Sequence, residues 1–204
     1  MKTPLKLILA GAMALALLAR GRAETAAVGR AAPDFTLTDI NGKPHSLSEY
    51  KGKTVVLEWV NPECPFVQKH YDRSGNMPRL QQAAAADGIV WLTINSAAPG
   101  KEGDYDADRV KDWQGRVHSS ATDYLRDQDG KVGRLYDART TPHMYVINAS
   151  GTLVYAGGID SIRSSNVGDI AKATNYVAAA LADVKAGRPV RTPNSQPYGC
   201  SVKY

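Results

Sequence analysis

Cysteine is scarce in this sequence, whose 204 residues contain only Cys64 and Cys200. Two cysteines allow a single intramolecular disulfide, which excludes a small scaffold held together by several bridges. Long hydrophobic runs are scarce as well. The apolar segment at residues 7–19 is shorter than the ~20 residues that a transmembrane helix requires. Internal repeats are missing, and no composition shift marks a second domain.

The N-terminal residues have the pattern of a secretory signal peptide. Lys2 and Lys6 precede the apolar segment, and the small residues Gly21 and Ala23 follow it. We predict a signal peptide over residues 1–23 and a periplasmic or secreted protein, with an uncleaved N-terminal anchor as the alternative. Disulfides persist in such compartments, so the two cysteines are able to pair there.

Basic clusters are absent once this leader is removed. Residues 1–23 carry four basic and no acidic side chains, so the formal charge falls from +5 to +1. No group of lysines and arginines with interleaved aromatic residues remains. We therefore expect no nucleic-acid partner, and no membrane partner after removal of the leader.

The most informative stretch joins an apolar run, residues 54–60, to Cys64 and Pro65. The run predicts a buried strand, and proline at the first helical position predicts that Cys64 caps a helix. The free amides at a helix start favour a negative charge, which predicts an exposed sulfur with a lowered pKa facing those amides. The alternative is a small buried hydrophobic residue.

The remaining patterns predict one domain over residues 24–204 with an α/β fold. An Asn41-Gly42 turn predicts an N-terminal β-hairpin, and alternating strands and helices predict a mixed central sheet flanked by helices. An amphipathic pattern predicts a last helix from Ile170 to Val184. A tail rich in proline and glycine follows at residues 191–204 and carries Cys200, which its flexibility would allow to reach Cys64.

Several motifs occur in the order of a known family: Asn-Pro-x-Cys-Pro-Phe-Val, Lys-His-Tyr, Gly-Asn-Met, Thr-Thr-Pro-His-Met and a terminal Tyr-Gly-Cys-Ser-Val-Lys-Tyr. With these motifs the chain resembles the thioredoxin superfamily over residues 28–204. Within it the chain resembles the redoxin or peroxiredoxin-like branch, the alkyl hydroperoxide reductase/thiol-specific antioxidant group. The resemblance implies a thioredoxin-like fold.

The resemblance also implies roles for individual residues. Cys64 matches the nucleophilic cysteine, but Val67 stands where the second cysteine of a Cys-x-x-Cys pair would be. Glu58 matches a buried acid that transfers protons, the alternative being a glutamate on a partly exposed strand face. Pro142 matches the cis-proline that lies beside the nucleophile, and Thr141 before it would present its backbone to a substrate.

Peroxide chemistry has weaker support in the sequence. Asn61 replaces the threonine or serine that peroxiredoxins place three residues before their cysteine, and Arg139 is a candidate for stabilising the thiolate. We predict that Asn61 and Pro65 contact substrate together with Thr141 and Pro142. His143 is a candidate for a hydrogen bond near the site, or simply the start of a strand.

The second cysteine and the histidines leave further alternatives open. Cys200 is predicted either to resolve a disulfide formed during turnover or to form a static bridge with Cys64. Copper binding by Cys64, His70 and His143 is a third reading, which the lack of a second cysteine at Gln68 disfavours. We predict no metal and no cofactor.

Together these inferences predict an exported thiol-based oxidoreductase that uses Cys64 for thiol-disulfide exchange, with Cys200 as resolving cysteine. The predicted partners are a protein or small-molecule thiol or disulfide substrate and an external thiol reductant. One alternative is a thiol peroxidase acting on a peroxide. Another is a non-enzymatic thioredoxin-fold module with a structural disulfide between Cys64 and Cys200.

Overall fold

Apolar runs rich in β-branched residues form the centre of the structure, a computed structural model that describes residues 25–204. The predicted signal peptide lies outside the described residues. The strands are β1 (Thr36–Asp39), β2 (Pro44–Ser46), β3 (Val55–Trp59), β4 (Val90–Asn95), β5 (Asp123–Arg126), β6 (Thr140–Thr141), β7 (His143–Ile147), β8 (Leu153–Gly157) and β9 (Cys200–Ser201). The helices are α1 (Pro65–His70), α2 (Asn76–Ala86), α3 (Ala107–Arg116), α4 (Lys131–Leu135) and α5 (Tyr176–Lys185).

Seven of these strands form one mixed sheet in the order β2-β1-β5-β4-β3-β7-β8. The pairs β3–β4 and β4–β5 are parallel, and β7 runs antiparallel to β3. Parallel neighbours need long crossovers, which here contain helices. The predicted mixed sheet flanked by helices is confirmed.

The predicted N-terminal hairpin is confirmed and is part of the same sheet. β1 pairs antiparallel with β2, and Gly42 in the turn has a φ of +84°, in the region that favours glycine. β1 also pairs with β5, so the hairpin extends the sheet at one edge.

The sheet has a hydrophobic cluster on each face, and the alternation of β3 shows how the sequence fills both. Leu57 and Trp59 belong to one cluster, whereas Val56 and Val60 belong to the other. Because side chains alternate along a strand, Glu58 shares the face of Val56 and Val60. A carboxyl group is therefore placed inside an apolar layer.

The predicted last helix is wrong in its first part. A short 3-10 helix occupies Val167–Lys172, and α5 begins only at Tyr176. The side chain of Asn175 accepts a hydrogen bond from the backbone amide of Ala178 and caps α5. A strong N-cap residue thus divides the pattern that read as one helix.

The C-terminal tail is ordered by pairing rather than left as a free linker. β9 pairs antiparallel with β6, which brings Cys200 opposite Thr141. Among the residues that the structure describes, no helix has the length and apolar character needed to cross a membrane.

Candidate active site

Cys64 lies where the sequence analysis placed it, between the end of β3 and the start of α1. It is the N-cap residue of α1, with Pro65 as the first helical residue. The Cys64 amide donates to the carbonyl of Asn61 over 3.0 Å, closing the turn that follows the strand. The local sequence therefore fixes the position of this residue.

The environment of the Cys64 sulfur differs from the prediction. The residue is fully buried, and its side chain makes no capping hydrogen bond to the amides of α1. Instead the thiol donates to the carbonyl oxygen of Thr141 over 3.0 Å. The predicted exposed sulfur, facing the amides, is wrong because the Thr141 segment and the tail lie against it.

The Thr141–Pro142 segment forms one wall of the site. The peptide bond between these residues is cis. The Thr141 carbonyl holds the Cys64 thiol, while its strand β6 pairs with the tail. Thr141 is buried, and its hydroxyl has no hydrogen-bond partner among the described residues.

Cys200 reaches the same point from the C-terminal tail. Both cysteines are free thiols in this structure, with Cys200 half-buried. Burial first, and the neighbouring Cys64 second, raise the pKa of the Cys200 thiol to about 12. Cys200 is thus a protonated thiol at neutral pH, and it lies opposite Thr141, whose carbonyl accepts from the Cys64 thiol.

Glycine is required at position 199 for this contact. Gly199 has a φ of +135°, and a Cβ atom there would lie 2.0 Å from the carbonyl oxygen of Thr141. No side chain fits at that distance, so the missing Cβ lets the tail backbone approach the Thr141 carbonyl. This packing is not predicted from the sequence, although the Tyr-Gly-Cys motif contains both Gly199 and Cys200.

Glu58 is fully buried rather than partly exposed. Both of its carboxylate oxygens lie 2.9 Å from the hydroxyl of Tyr71, and Trp91 donates its indole N–H over 2.8 Å. Gln81 donates to the Tyr71 hydroxyl over 2.7 Å. Burial raises the pKa of Glu58 to about 7, against these hydrogen bonds, which lower it.

The Glu58 network is connected to α1, because Tyr71 directly follows that helix. Among the described residues, Glu58 makes no hydrogen bond to Cys64 or Cys200. Its predicted part in proton transfer therefore stays a prediction.

The raised pKa predicts a pH-dependent stability. The folded protein holds the Glu58 proton more tightly than the unfolded chain, whose carboxyl has an ordinary pKa of 4.5. The resulting stability is complete below about pH 4.5 and is lost as the pH rises through about 7. The rise of the Glu58 pKa from 4.5 to about 7 corresponds to about 3 kcal/mol in the free energy of unfolding.

We expect Glu58→Gln to remove this pH dependence in urea unfolding at pH 5 and pH 8. Other titrating groups contribute equally to both proteins, so the difference between them isolates the carboxyl. Glu49→Gln, at an exposed position, is the control and keeps the wild-type pH dependence. Equal pH dependence in wild type and Glu58→Gln would contradict the raised pKa.

Asn61 shapes the loop before Cys64. Its side-chain oxygen accepts from the Glu63 amide over 2.9 Å, and its NH₂ group donates to the Glu102 carboxylate over 3.0 Å. A Cβ at Gly103 would lie 2.3 Å from the Asn61 oxygen. Both ends of the amide are thus engaged within the protein, whereas Pro65 is exposed.

The other candidates lie apart from the sulfurs. The exposed guanidinium of Arg139 pairs with Asp137. His143 begins β7 and is buried, with Nδ1 3.0 Å from the Tyr145 hydroxyl, and burial lowers its pKa to about 4. Among the described residues, neither side chain makes a hydrogen bond or an ion pair with Cys64 or Cys200.

The copper reading has no support in the geometry. Within residues 25–204, the side chains that come together as a possible three-ligand group are Asp39, His45 and Asp123, without a cysteine. The two ring nitrogens of His45 face different partners: Nε2 is 3.2 Å from Asp39, and Nδ1 is 2.8 Å from the hydroxyl of Tyr50. His70 and His143 do not form such a group with Cys64.

The strand, the helix-capping Cys64 and the cis-proline segment beside it define a redoxin of the thioredoxin superfamily. A family model confirms this. The chain belongs to the AhpC/TSA family, whose model matches residues 28–156.

Individual relatives agree with this assignment. Thiol-disulfide oxidoreductase ResA of Geobacillus thermodenitrificans is 29% identical over 163 residues, which cover 69% of this chain and 88% of ResA. Soluble secreted antigen MPT53 of Mycobacterium tuberculosis is 26% identical, over 59% of this chain and 62% of that protein. The ResA relative supports the prediction that the chain is an oxidoreductase enzyme.

A solved structure confirms the predicted thioredoxin-like fold class. The crystal structure of an uncharacterized conserved protein from Geobacillus kaustophilus superposes with a TM-score of 0.75 and is 27% identical. The match covers 87% of this chain and 92% of that one, so it includes far more than the residues around Cys64.

Proposed function

We propose that this chain is an exported thiol-disulfide oxidoreductase in which Cys64 is the nucleophile and Cys200 the resolving cysteine. The observation that carries the proposal is the position of two free thiols at Thr141: the Cys64 thiol donates to its carbonyl, and Cys200 lies opposite it where β9 pairs with β6. Two thiols that lie this near to one another are placed to form a disulfide. The ResA relatives support the reaction class, and the secreted MPT53 relative supports export.

The reaction begins with a substrate disulfide. The Cys64 thiolate attacks one sulfur, the substrate S–S bond breaks, and the second substrate sulfur leaves as a thiolate that takes up a proton. A mixed disulfide between Cys64 and the substrate results. Cys200 then loses its proton and attacks the Cys64 sulfur, which releases the substrate as a second thiol and leaves a Cys64–Cys200 disulfide.

An external thiol reductant returns the enzyme to its dithiol form. Two equivalents of thiol are oxidised to one disulfide as the Cys64–Cys200 bond is reduced. The same steps run in reverse when a substrate dithiol is oxidised. In the closed state, burial raises the pKa of the Cys200 thiol, so Cys200 provides little thiolate while the tail is in place.

The tail occupies the strand edge that a substrate needs. β9 pairs with Thr140–Thr141, the segment beside the cysteine that an extended peptide would meet. Cys64 is fully buried beneath it. We therefore place tail release before attack on a protein substrate, and tail return before resolution.

Disulfide exchange is favoured over peroxide reduction by the contacts of two residues. The Asn61 amide is engaged by Glu102, and the Arg139 guanidinium by Asp137. Neither group is left to hold a peroxide or to stabilise a thiolate.

The Cys200→Ser variant tests the resolving role. It retains Cys64, so the first attack proceeds, but the mixed disulfide has no internal thiol to resolve it. We expect a stable adduct with oxidised glutathione, detected by non-reducing mass spectrometry, and multiple-turnover insulin reduction lowered on the order of tenfold or more. Wild type would show a Cys64–Cys200 disulfide and no lasting adduct.

Two results would count against this proposal. An adduct of equal lifetime in wild type and Cys200→Ser would exclude resolution by Cys200. An unchanged turnover rate in Cys200→Ser would show that an external thiol does the resolving.

A further inference from the structure

The tail is anchored by Tyr198, two residues before Cys200. The Tyr198 side chain is buried, and its hydroxyl donates to the Asp160 carboxylate over 2.6 Å. His70 Nε2 lies 3.3 Å from the same hydroxyl. The ring packs edge-to-face against Phe66, with 5.8 Å between the ring centroids. The position of the Tyr198 hydroxyl is specific, because it donates to a side-chain carboxylate rather than to a backbone carbonyl.

The receptor for this hydroxyl is a buried charged cluster. Lys69 and His70 are fully buried and Asp160 is 4% exposed, with Lys69 Nζ 3.5 Å from the second oxygen of Asp160. A buried ion pair is compensated only when further hydrogen bonds satisfy its atoms. Tyr198 supplies one of them. The Tyr198 hydroxyl therefore stabilises the buried ion pair, and its hydrogen bond to Asp160 holds the tail in place.

Residues at both ends of the short helix α1 interact with the site or with the tail. Cys64 caps its start, and Lys69 and His70 are its last two residues. The tail crosses from the Tyr198 anchor at one end to the Cys200 contact at the other. Only Gly199 separates the two, and its backbone is pressed against the Thr141 carbonyl. So short a connection leaves the Cys200 sulfur little freedom once the Tyr198 hydroxyl is bound.

We propose that Tyr198 is the positioning residue that holds Cys200 over Cys64, through its hydrogen bond to Asp160. The bound hydroxyl keeps the tail closed over the reduced Cys64 and raises the effective concentration of the Cys200 thiol. Its release gives an external disulfide access to Cys64. This inference rests on the proposed function in its redox part, because Cys200 must resolve Cys64 for its position to affect turnover.

The first arm of the test measures the cover over Cys64 without any redox step. In a Cys200→Ser background, Cys64 is the remaining cysteine, and its rate of alkylation by iodoacetamide reports tail opening. Tyr198→Phe keeps the ring and removes the hydroxyl. We expect Cys64 to be alkylated about tenfold faster in Tyr198→Phe. Loss of a hydrogen bond to a charged group shifts the equilibrium of tail opening by about this factor or more.

Tyr136→Phe in the same background is the matched control. Tyr136 is also buried, and its hydroxyl donates to the carbonyl of Pro33, a residue outside the tail. We expect the parent rate of alkylation in this variant. An unchanged rate in Tyr198→Phe, or an equal acceleration in Tyr136→Phe, would overturn the positioning role.

The second arm measures the disulfide in the protein with both cysteines. One oxidised glutathione is reduced to two thiols as Cys64 and Cys200 lose their protons and form the bond. The equilibrium constant for this exchange is expected to fall about tenfold in Tyr198→Phe and to stay unchanged in Tyr136→Phe, since it follows the effective concentration of Cys200.

The two arms separate the failure of this inference from failure of the proposed function. If neither the wild type nor either variant forms the Cys64–Cys200 disulfide, the proposed function fails, and the redox part of this inference fails with it. If the disulfide forms equally well in wild type and Tyr198→Phe, only the role of Tyr198 is overturned.

Discussion

Insulin reduction is expected to fall on the order of a thousandfold or more when Cys64 is replaced by serine, since the removal of a covalent nucleophile has effects of at least this size. The substitution changes one atom, yet a hydroxyl is not ionised at neutral pH and does not attack a disulfide. Cys200 does not take over the role of the lost sulfur, because burial, the largest cause of its raised pKa, is still present in the variant. Loss of the first attack removes every later step.

The measurement compares Cys64→Ser with Cys200→Ser under the same conditions. The Cys200→Ser variant still forms an adduct with oxidised glutathione, whereas Cys64→Ser forms none. Far-UV circular dichroism and urea unfolding check that both variants are folded. A Cys64→Ser protein that reduces insulin at the wild-type rate would remove the catalytic assignment and leave only the fold.

Gly199→Ala is expected to expose Cys64 by displacing the tail. The added methyl group would lie 2.0 Å from the Thr141 oxygen and 2.8 Å from its carbonyl carbon, both of them backbone atoms. Neither atom is able to rotate away as a side chain would. The pairing of β9 with β6 must therefore open, and alkylation of Cys64 should accelerate on the order of a hundredfold as this local structure is lost.

Gly187→Ala is the control for backbone strain alone. Gly187 also has a positive φ, +66°, but a Cβ there has no atom within 4 Å. Gly187→Ala carries the cost of a left-handed φ, about 1 kcal/mol, and Gly199→Ala carries at least this cost at its φ of +135°. Only Gly199→Ala adds a steric overlap at the site. Equal alkylation rates in the two variants would show that the tail does not depend on the missing Cβ.

The fold could be predicted where the sequence signals are local. The run from Thr54 to Val60, followed by Cys64 and Pro65, specified a strand and a helix start without any other part of the chain. The Asn41-Gly42 turn specified the hairpin in the same way. The last helix was misjudged, because the apolar spacing continued through Asn175, whose side chain caps the start of α5.

The site was harder to predict because it depends on contacts between distant residues. Nothing local indicates that β9 pairs with β6, since each strand has only two residues. The burial of Cys64 follows from that pairing, so an exposed sulfur was the natural expectation from the helix start alone. Glu58 was recognised through a family resemblance, whereas its partners Tyr71, Trp91 and Gln81 come from three separate elements.

The Tyr198 anchor was missed for a similar reason. In the sequence, Lys69 and His70 belong to the Lys-His-Tyr motif, and Asp160 lies far along the chain. Only the structure brings the three together beneath the tail. Their burial is a property of the tertiary packing, which the spacing of residues along the sequence does not encode.

The central claim is that Cys64 and Cys200 form a bond that is made and broken during turnover. Non-reducing mass mapping of the purified protein, before and after one equivalent of an oxidised dithiol, tests this most directly. The account predicts free Cys64 and Cys200 in the reduced protein, a single Cys64–Cys200 disulfide after oxidation, and its return to thiols with dithiothreitol while the protein stays folded. A bond that resists reduction until the protein unfolds, or no bond at all, would contradict it.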